Sequence, residues 1–159
     1  MSVPDSEADA ARGLFERAYQ HHMAGRFERA ADLYRLSIVV HATPEAHTFL
    51  GWAYSSLGRL PEAIDECVQA IAVDPSFGNA YNDIGAYLIA LERPEQALPW
   101  LERAIESERY ESRHLPWYNL GRVYEVQSRQ SLALACYRQS TTLDPLYSPA
   151  LEAEARLAG

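Results

Sequence analysis

The chain contains no lysine. All 14 of its cationic side chains are arginines, set against 22 acidic residues, for a net charge of −8. The absence rules out chemistry that depends on a lysine amine, and the codon bias of a GC-rich bacterial genome accounts for it. The acidic balance disfavours non-specific binding to nucleic acid or to anionic membrane surfaces. Cysteine is also scarce, with only Cys67 and Cys136. They fall on second helices separated by a whole hairpin. Packed helices lie about 8–10 Å apart, well beyond disulfide reach, so both read as small buried apolar groups in a reducing compartment. No run of 18 apolar residues suggests a membrane span. The opening MSVPDSEADAARG lacks the basic start and apolar stretch of a secretory leader, so a cytoplasmic location is expected.

Catalytic fingerprints are missing as well: there is no G-x-S-x-G, no P-loop and no dinucleotide-binding glycine pattern. His21 and His22 are adjacent and so point to different helix faces, His41 and His47 flank a turn, and His114 is remote. No metal-ligand spacing results. Asp65/Glu66 and Glu102/Glu106 read as solvated faces. The expectation is a protein with no catalytic residues, no metal and no cofactor.

What the sequence does have is an internal period. Residues 44–75 form a unit in which Gly51 interrupts an apolar helical pattern (Leu50, Ala53, Tyr54, Leu57), where glycine costs about 1 kcal/mol against alanine. Small residues at helical spacing follow in Ala63, Cys67 and Ala70, so two helices can approach closely there. Gly58 ends the first helix, Pro61 suits the first turn of the second, and Asp74-Pro75 ends that one. The glycine recurs at Gly85 and Gly121, the alanine at Ala30, Ala97 and Ala133, and Asp-Pro at Asp144-Pro145. The steps are 33 to 36 residues long.

These positions resemble the tetratricopeptide repeat, whose pattern is W-x2-L-G-x2-Y, then A-x3-F and a closing proline over 34 residues. The closest copies are His47/Leu50/Gly51/Tyr54 with Ala63/Cys67/Pro75, and Trp117/Leu120/Gly121/Tyr124 with Ala133/Tyr137/Pro145. The third copy keeps Tyr81, Ile84, Gly85, Ala97 and Ala104 but has Leu88 for the tyrosine and Arg109 for the proline. The first is degenerate, with Leu14, Ala18, His21, Ala30 and Tyr34. The resemblance covers about residues 10 to 147.

It implies an all-α, right-handed α-solenoid of four helix-turn-helix repeats with a short C-terminal capping helix. As a single domain this would span 7–158, with repeats at about 11–43, 44–77, 78–113 and 114–147 and a cap at 148–158. Helices are expected over Glu7–Met23, Phe27–Val40, Pro44–Leu57, Pro61–Val73, Asn79–Leu91, Pro94–Ser107, Pro116–Gln127, Ser131–Leu143 and Ala150–Leu157. Thr43 should cap the third of these, Ser148-Pro149 should cap the last, and residues 1–6 should fray. The connection SERYESRHLP is two residues longer than the period. It reads first as a loop whose Tyr110 plugs a gap between repeats, and second as a local binding feature.

Such repeats imply a non-enzymatic module that binds a peptide or protein segment in a concave groove. Aligning the copies places Phe49, Trp52, Asn79, Asn82, Asp83, Tyr118, Asn119 and Arg122 on the groove side, with Phe15, Tyr19 and His22 in the first repeat. Asparagine offers both donor and acceptor to an extended backbone, and Arg122 can grip a carboxylate with two parallel bonds. Trp52 fits either a pocket wall or packing against its neighbouring hairpin. Asn82, Asn119 and Arg122 are expected to face solvent. The lysine-and-asparagine clamp of one branch of the family is missing here, and Arg122 has no second cation in its row. The rival readings are a homo-oligomeric assembly scaffold and a small acidic secretion-type chaperone.

Overall fold

The computed structural model describes residues 6–159; the first five residues of the segment expected to fray lie outside them. Ser6 does not fray but opens the first helix. Nine helices account for the described secondary structure: α1 (Ser6–Met23), α2 (Phe27–Val40), α3 (Pro44–Ser56), α4 (Leu60–Val73), α5 (Gly78–Ala90), α6 (Pro94–Glu106), α7 (His114–Val126), α8 (Gln130–Leu143) and α9 (Ser148–Ala158). The expected helices are all present, most with ends within a residue or two. The chain divides into two compact units, one ending at Pro75 and the other running Ser76–Gly159.

In the first unit α1 pairs with α2, α3 pairs with α4, and α2 packs on α3. Thr43 caps α3 as its sequence suggests, accepting from the Ala46 amide at 3.1 Å. In the second unit α5 pairs with α6 and α7 with α8, while α9 closes against α8. Ser148 is inside α9, not its cap; Tyr147 holds the N-cap position and no side chain bonds there.

Each hairpin turns in the same way. Gly25, Gly58, Glu92 and Ser128 have left-handed φ values between 60° and 77°. The amide just after each bonds back to a carbonyl five residues earlier: Arg26 to His21, Arg59 to Tyr54, Arg93 to Leu88 and Arg129 to Tyr124. That bond satisfies the orphan carbonyls of the first helix and reverses the chain.

The glycines in the first helices sit at close approaches, but two face a different neighbour than expected. A Cβ on Gly51 would lie 2.9 Å from the Ala63 carbonyl oxygen, as the alanine pairing predicts. At Gly85 and Gly121 it would strike the side chains of Leu101 and Tyr137, each at 2.4 Å. Those residues stand one turn beyond Ala97 and Ala133. Where the later residue is large, it reaches over the alanine and occupies the glycine gap. Cys67, small at the same site, leaves the gap to backbone.

The long connection after α6 is a strap tied down at several points. Its backbone pairs with the chain before α5, Gly78 N donating to Arg109 O and Arg109 N to Ser76 O, both at 3.0 Å. The Tyr110 ring is 4% exposed and rests on Gly78, where a Cβ would come within 2.5 Å of it. The Arg113 guanidinium donates to the carbonyls of Ile105, Ser107 and Tyr110 and so caps the end of α6. Tyr110 therefore plugs the structure at the start of α5.

Candidate functional site

The residues expected to line a groove fall into two groups, one in each unit. In the first unit they form an aromatic cluster. Phe49 stacks edge-on with Phe15 at 5.1 Å and with Trp52 at 5.6 Å, and Tyr19 approaches Phe49 at 5.9 Å. Trp52 is 40% exposed, with one face against His22 at 4.0 Å. It thus serves packing and surface together. His22 is buried under that tryptophan instead of reaching solvent, and its Nε2 has no partner. Burial lowers its pKa.

In the second unit the polar residues form a hydrogen-bonded row running from α7 to α5. Arg122 donates to Asn119 Oδ1 at 3.1 Å, and Asn119 Nδ2 donates to Asn82 Oδ1 at 3.0 Å. Asn82 Nδ2 points on to Asp83 Oδ1 at 3.5 Å. Both asparagines are buried, which corrects the expectation that they face solvent. The reason is that α5 and α7 lie close enough for the two amides to satisfy each other, and a paired amide tolerates burial. Arg122 is half-buried, its guanidinium 5.9 Å above the Tyr118 ring. Asp83 is half-buried, and desolvation pushes its carboxyl up to about 7. Asn79 stands apart from the row. It lines a hollow of about 640 Å³ with Phe77 and the Glu108–Arg113 strap.

Beside the Arg122 end of the row lies an open cleft of about 480 Å³, walled by Tyr118, Val126, Tyr137, Pro149 and Ala153. Arg156, from the capping helix, lines it as well. Arg122 thus has a second cation nearby, though from outside its own row. That cation is spoken for, since Arg156 grips Glu125 with bonds of 2.7 and 3.0 Å. Tyr137 donates to the same carboxylate at 2.8 Å. These partners hold the Glu125 carboxyl below the usual range. Nothing local in the α7 sequence signals that α9 completes this cleft. Arg103 stacks 4.7 Å over Tyr81 and donates to its hydroxyl.

Among the described residues no group of three histidine, cysteine or acidic side chains is placed to hold a metal ion, and no helix is long and apolar enough to cross a membrane. Both cysteines are buried thiols, and burial pushes that of Cys136 up to about 11.

Repeated hairpins with one turn geometry, three of them with a glycine at the close approach, are matched by a family profile. The tetratricopeptide repeat profile aligns with residues 24–76, 50–113 and 82–148. The chain belongs to the tetratricopeptide repeat family. A rice protein, Protein SGT1 homolog (Oryza sativa subsp. japonica), is 36% identical over 94 residues, which is 58% of this chain and 26% of that protein. The chain therefore spans about a quarter of the length of that curated relative. The solved Pseudomonas aeruginosa pilF structure superposes with a TM-score of 0.88 at 21% identity, covering 96% of this chain and 69% of that one. The first tetratricopeptide domain of Spaghetti (RPAP3), solved with an HSP90 peptide bound, superposes with a TM-score of 0.69 at 24% identity. That match covers 76% of this chain and 95% of the other. At such identities the likeness is one of fold: an all-α array of tetratricopeptide repeats.

Proposed function

We propose that this chain is a non-enzymatic interaction module that holds an extended segment of a partner protein against the α5–α7 face of its second unit. The observation that carries the reading is the Arg122–Asn119–Asn82 row. Each amide in it has used one donor and one acceptor valence and retains another. The buried amides and the rigid helices fix the half-buried Arg122 guanidinium, so a carbonyl or carboxylate of an extended partner meets it at a fixed position with little ordering cost. Tyr118 and the adjoining cleft offer apolar contact for a side chain of that partner. A related fold solved with a peptide bound adds to the reading. The exposed aromatic edges of Tyr19 and Trp52 in the first unit are a further surface of the same kind.

The test begins with a ligand selected from a displayed random-peptide library and measured by calorimetry. Arg122→Ala should weaken binding by roughly 2 kcal/mol or more, the scale of losing one side of a desolvated charged hydrogen bond. Arg93→Ala, in the exposed α5–α6 turn, is the control and should bind as the parent does. Equal affinity of the two variants would remove this face as the site.

A further inference from the structure

The hairpins differ at the corner where each second helix hands over to the next helix. Three of the four connections carry an aromatic ring: Phe77 ahead of α5, Tyr110 ahead of α7 and Tyr147 ahead of α9. Tyr110 rests on Gly78, the first residue of α5, and Tyr147 meets His114, the first residue of α7, at 4.9 Å. The first hairpin has only His41, Ala42 and Thr43 in its connection. Its matching position is Ala11. Gly78 and His114 each stand seven residues before a close-approach glycine (85−78, 121−114), as Ala11 stands before Ala18 (18−11). The hydrogen bonds agree, since Ser37 donates to the Ala11 carbonyl and Ser140 to that of His114, both at 2.7 Å. At Ala11 the chain supplies no ring. A hollow of about 300 Å³ lies there, within the first unit, walled by Ala8, Ala11, Phe15, Ser37, His41 and Thr43. Arg12 and Glu45 also border it.

We propose that this hollow is a binding pocket for the ring of a phenylalanine or tyrosine in a partner segment. It is independent of the α5–α7 face. The charge of the lining decides against an ionic occupant. The Ser37 hydroxyl is spent on Ala11, the Thr43 hydroxyl takes the Ala46 amide, and Arg12 pairs with Asp9. His41 is exposed and served by water. What remains inside is carbon from two alanines and a phenylalanine, so the gain on offer is burial of neutral apolar surface. Size favours a ring. An apolar cavity of about 150 Å³ takes up benzene, and one of about 300 Å³ admits a ring together with the start of its backbone. The Phe15 wall adds geometry. That ring already meets Tyr34 at 5.5 Å and Phe49 at 5.1 Å, and an incoming ring extends the edge-to-face set as an aliphatic chain cannot. The residues ahead of Ser6, MSVPD, include no ring to offer. A partner's ring would thus do at Ala11 what Tyr110 does at Gly78.

The probe is N-acetyl-para-fluorophenylalaninamide, a neutral capped ring, titrated into the full chain and followed by fluorine NMR. It should bind with a dissociation constant on the order of a millimolar, the scale open to so small a ligand. N-acetylphenylalaninamide and N-acetyltyrosinamide should displace it. N-acetylleucinamide should need a concentration about 2- to 10-fold higher, the worth of a ring contact beyond its area. The place is read in the unaltered protein from its alanine methyl signals. Those of Ala8 and Ala11 should shift under the ring current of the probe, while those of Ala97 and Ala133 should not. Ala8→Trp, at an exposed site, should block the mouth and weaken the probe at least ~tenfold by steric clash. Arg93→Ala should bind as the parent does. The methyl shifts decide the matter even if Ala8→Trp melts lower than the parent. Absence of binding, leucine and phenylalanine forms displacing the probe alike, or shifts confined to Trp52 or Tyr118 would each overturn the pocket. None of these results bears on the Arg122→Ala comparison, so the α5–α7 face stands or falls separately.

Discussion

Gly51, Gly85 and Gly121 do one job against three neighbours of different stiffness. At Gly85 an added methyl would meet Leu101 Cδ2 and Cγ, in a buried side chain that can form no hydrogen bond to pin it. At Gly121 it would meet the Tyr137 ring, which is pinned by its 2.8 Å bond to Glu125. Overpacking costs roughly 1–3 kcal/mol, and the unpinned neighbour should fall at the low end. Gly121→Ala is therefore expected to destabilise more than Gly85→Ala in urea titrations, and the reverse order would show that the tyrosine yields. Asp83 makes a different residue-scale claim, about pH. Its folded carboxyl titrates at about 7, against ~3.9 in an unfolded chain. Below the unfolded value the group is neutral in both states and costs nothing. As pH rises from the unfolded to the folded value, the unfolded state sheds its proton freely while the folded state must keep its own or desolvate the charge, and stability is lost. Asp83→Asn should remove this loss. Its advantage over the parent should grow from ~pH 4 to ~pH 7, level off above, and reach the order of 1–3 kcal/mol. A pH-independent difference would mean that Asp83 is solvated.

At the scale of the helix and its turn, the sequence was most legible where one element explains itself. Gly25 and Gly58 announce their turns because only glycine adopts a positive φ freely, and Asp74 and Asp144 end α4 and α8 as their Asp-Pro pairs suggest. Glu92 and Ser128 occupy the same left-handed turn without glycine's freedom, so their role shows only once the repeats are aligned. A left-handed residue other than glycine costs about 1–2 kcal/mol. Ser128→Gly should recover part of that and raise the denaturant midpoint, even though it removes side-chain atoms. No gain would place the strain elsewhere in the turn. What the sequence hid were contacts between elements far apart along the chain. Asn82 and Asn119 are 37 residues apart, and the helical wheel of each alone puts its amide toward solvent. Their burial follows from how closely α5 and α7 approach, and no local pattern encodes that distance. The same holds for Arg156, whose place in the cleft beside Arg122 depends on where the capping helix comes to rest.

The whole molecule carries −8 without a single lysine, and that charge matters for how a partner arrives more than for how it is held. Opposite charge speeds diffusional encounter, and salt screens it over a Debye length of about 8–10 Å at physiological strength. Contacts made inside the α5–α7 row are shielded from that screening. For a basic partner segment, raising sodium chloride from ~0.02 to ~0.5 M should lower the association rate by about tenfold and change the dissociation rate much less. Stopped-flow measurement separates the two rates. A glutamate-centred peptide is the useful contrast, because the same salt should speed its association instead. If the basic segment's loss of affinity lay wholly in dissociation, the charge would be acting inside the site and not across the surface. In that case Asp83 and Arg122 would be the groups to neutralise next, one at a time, with the salt dependence measured again on each variant.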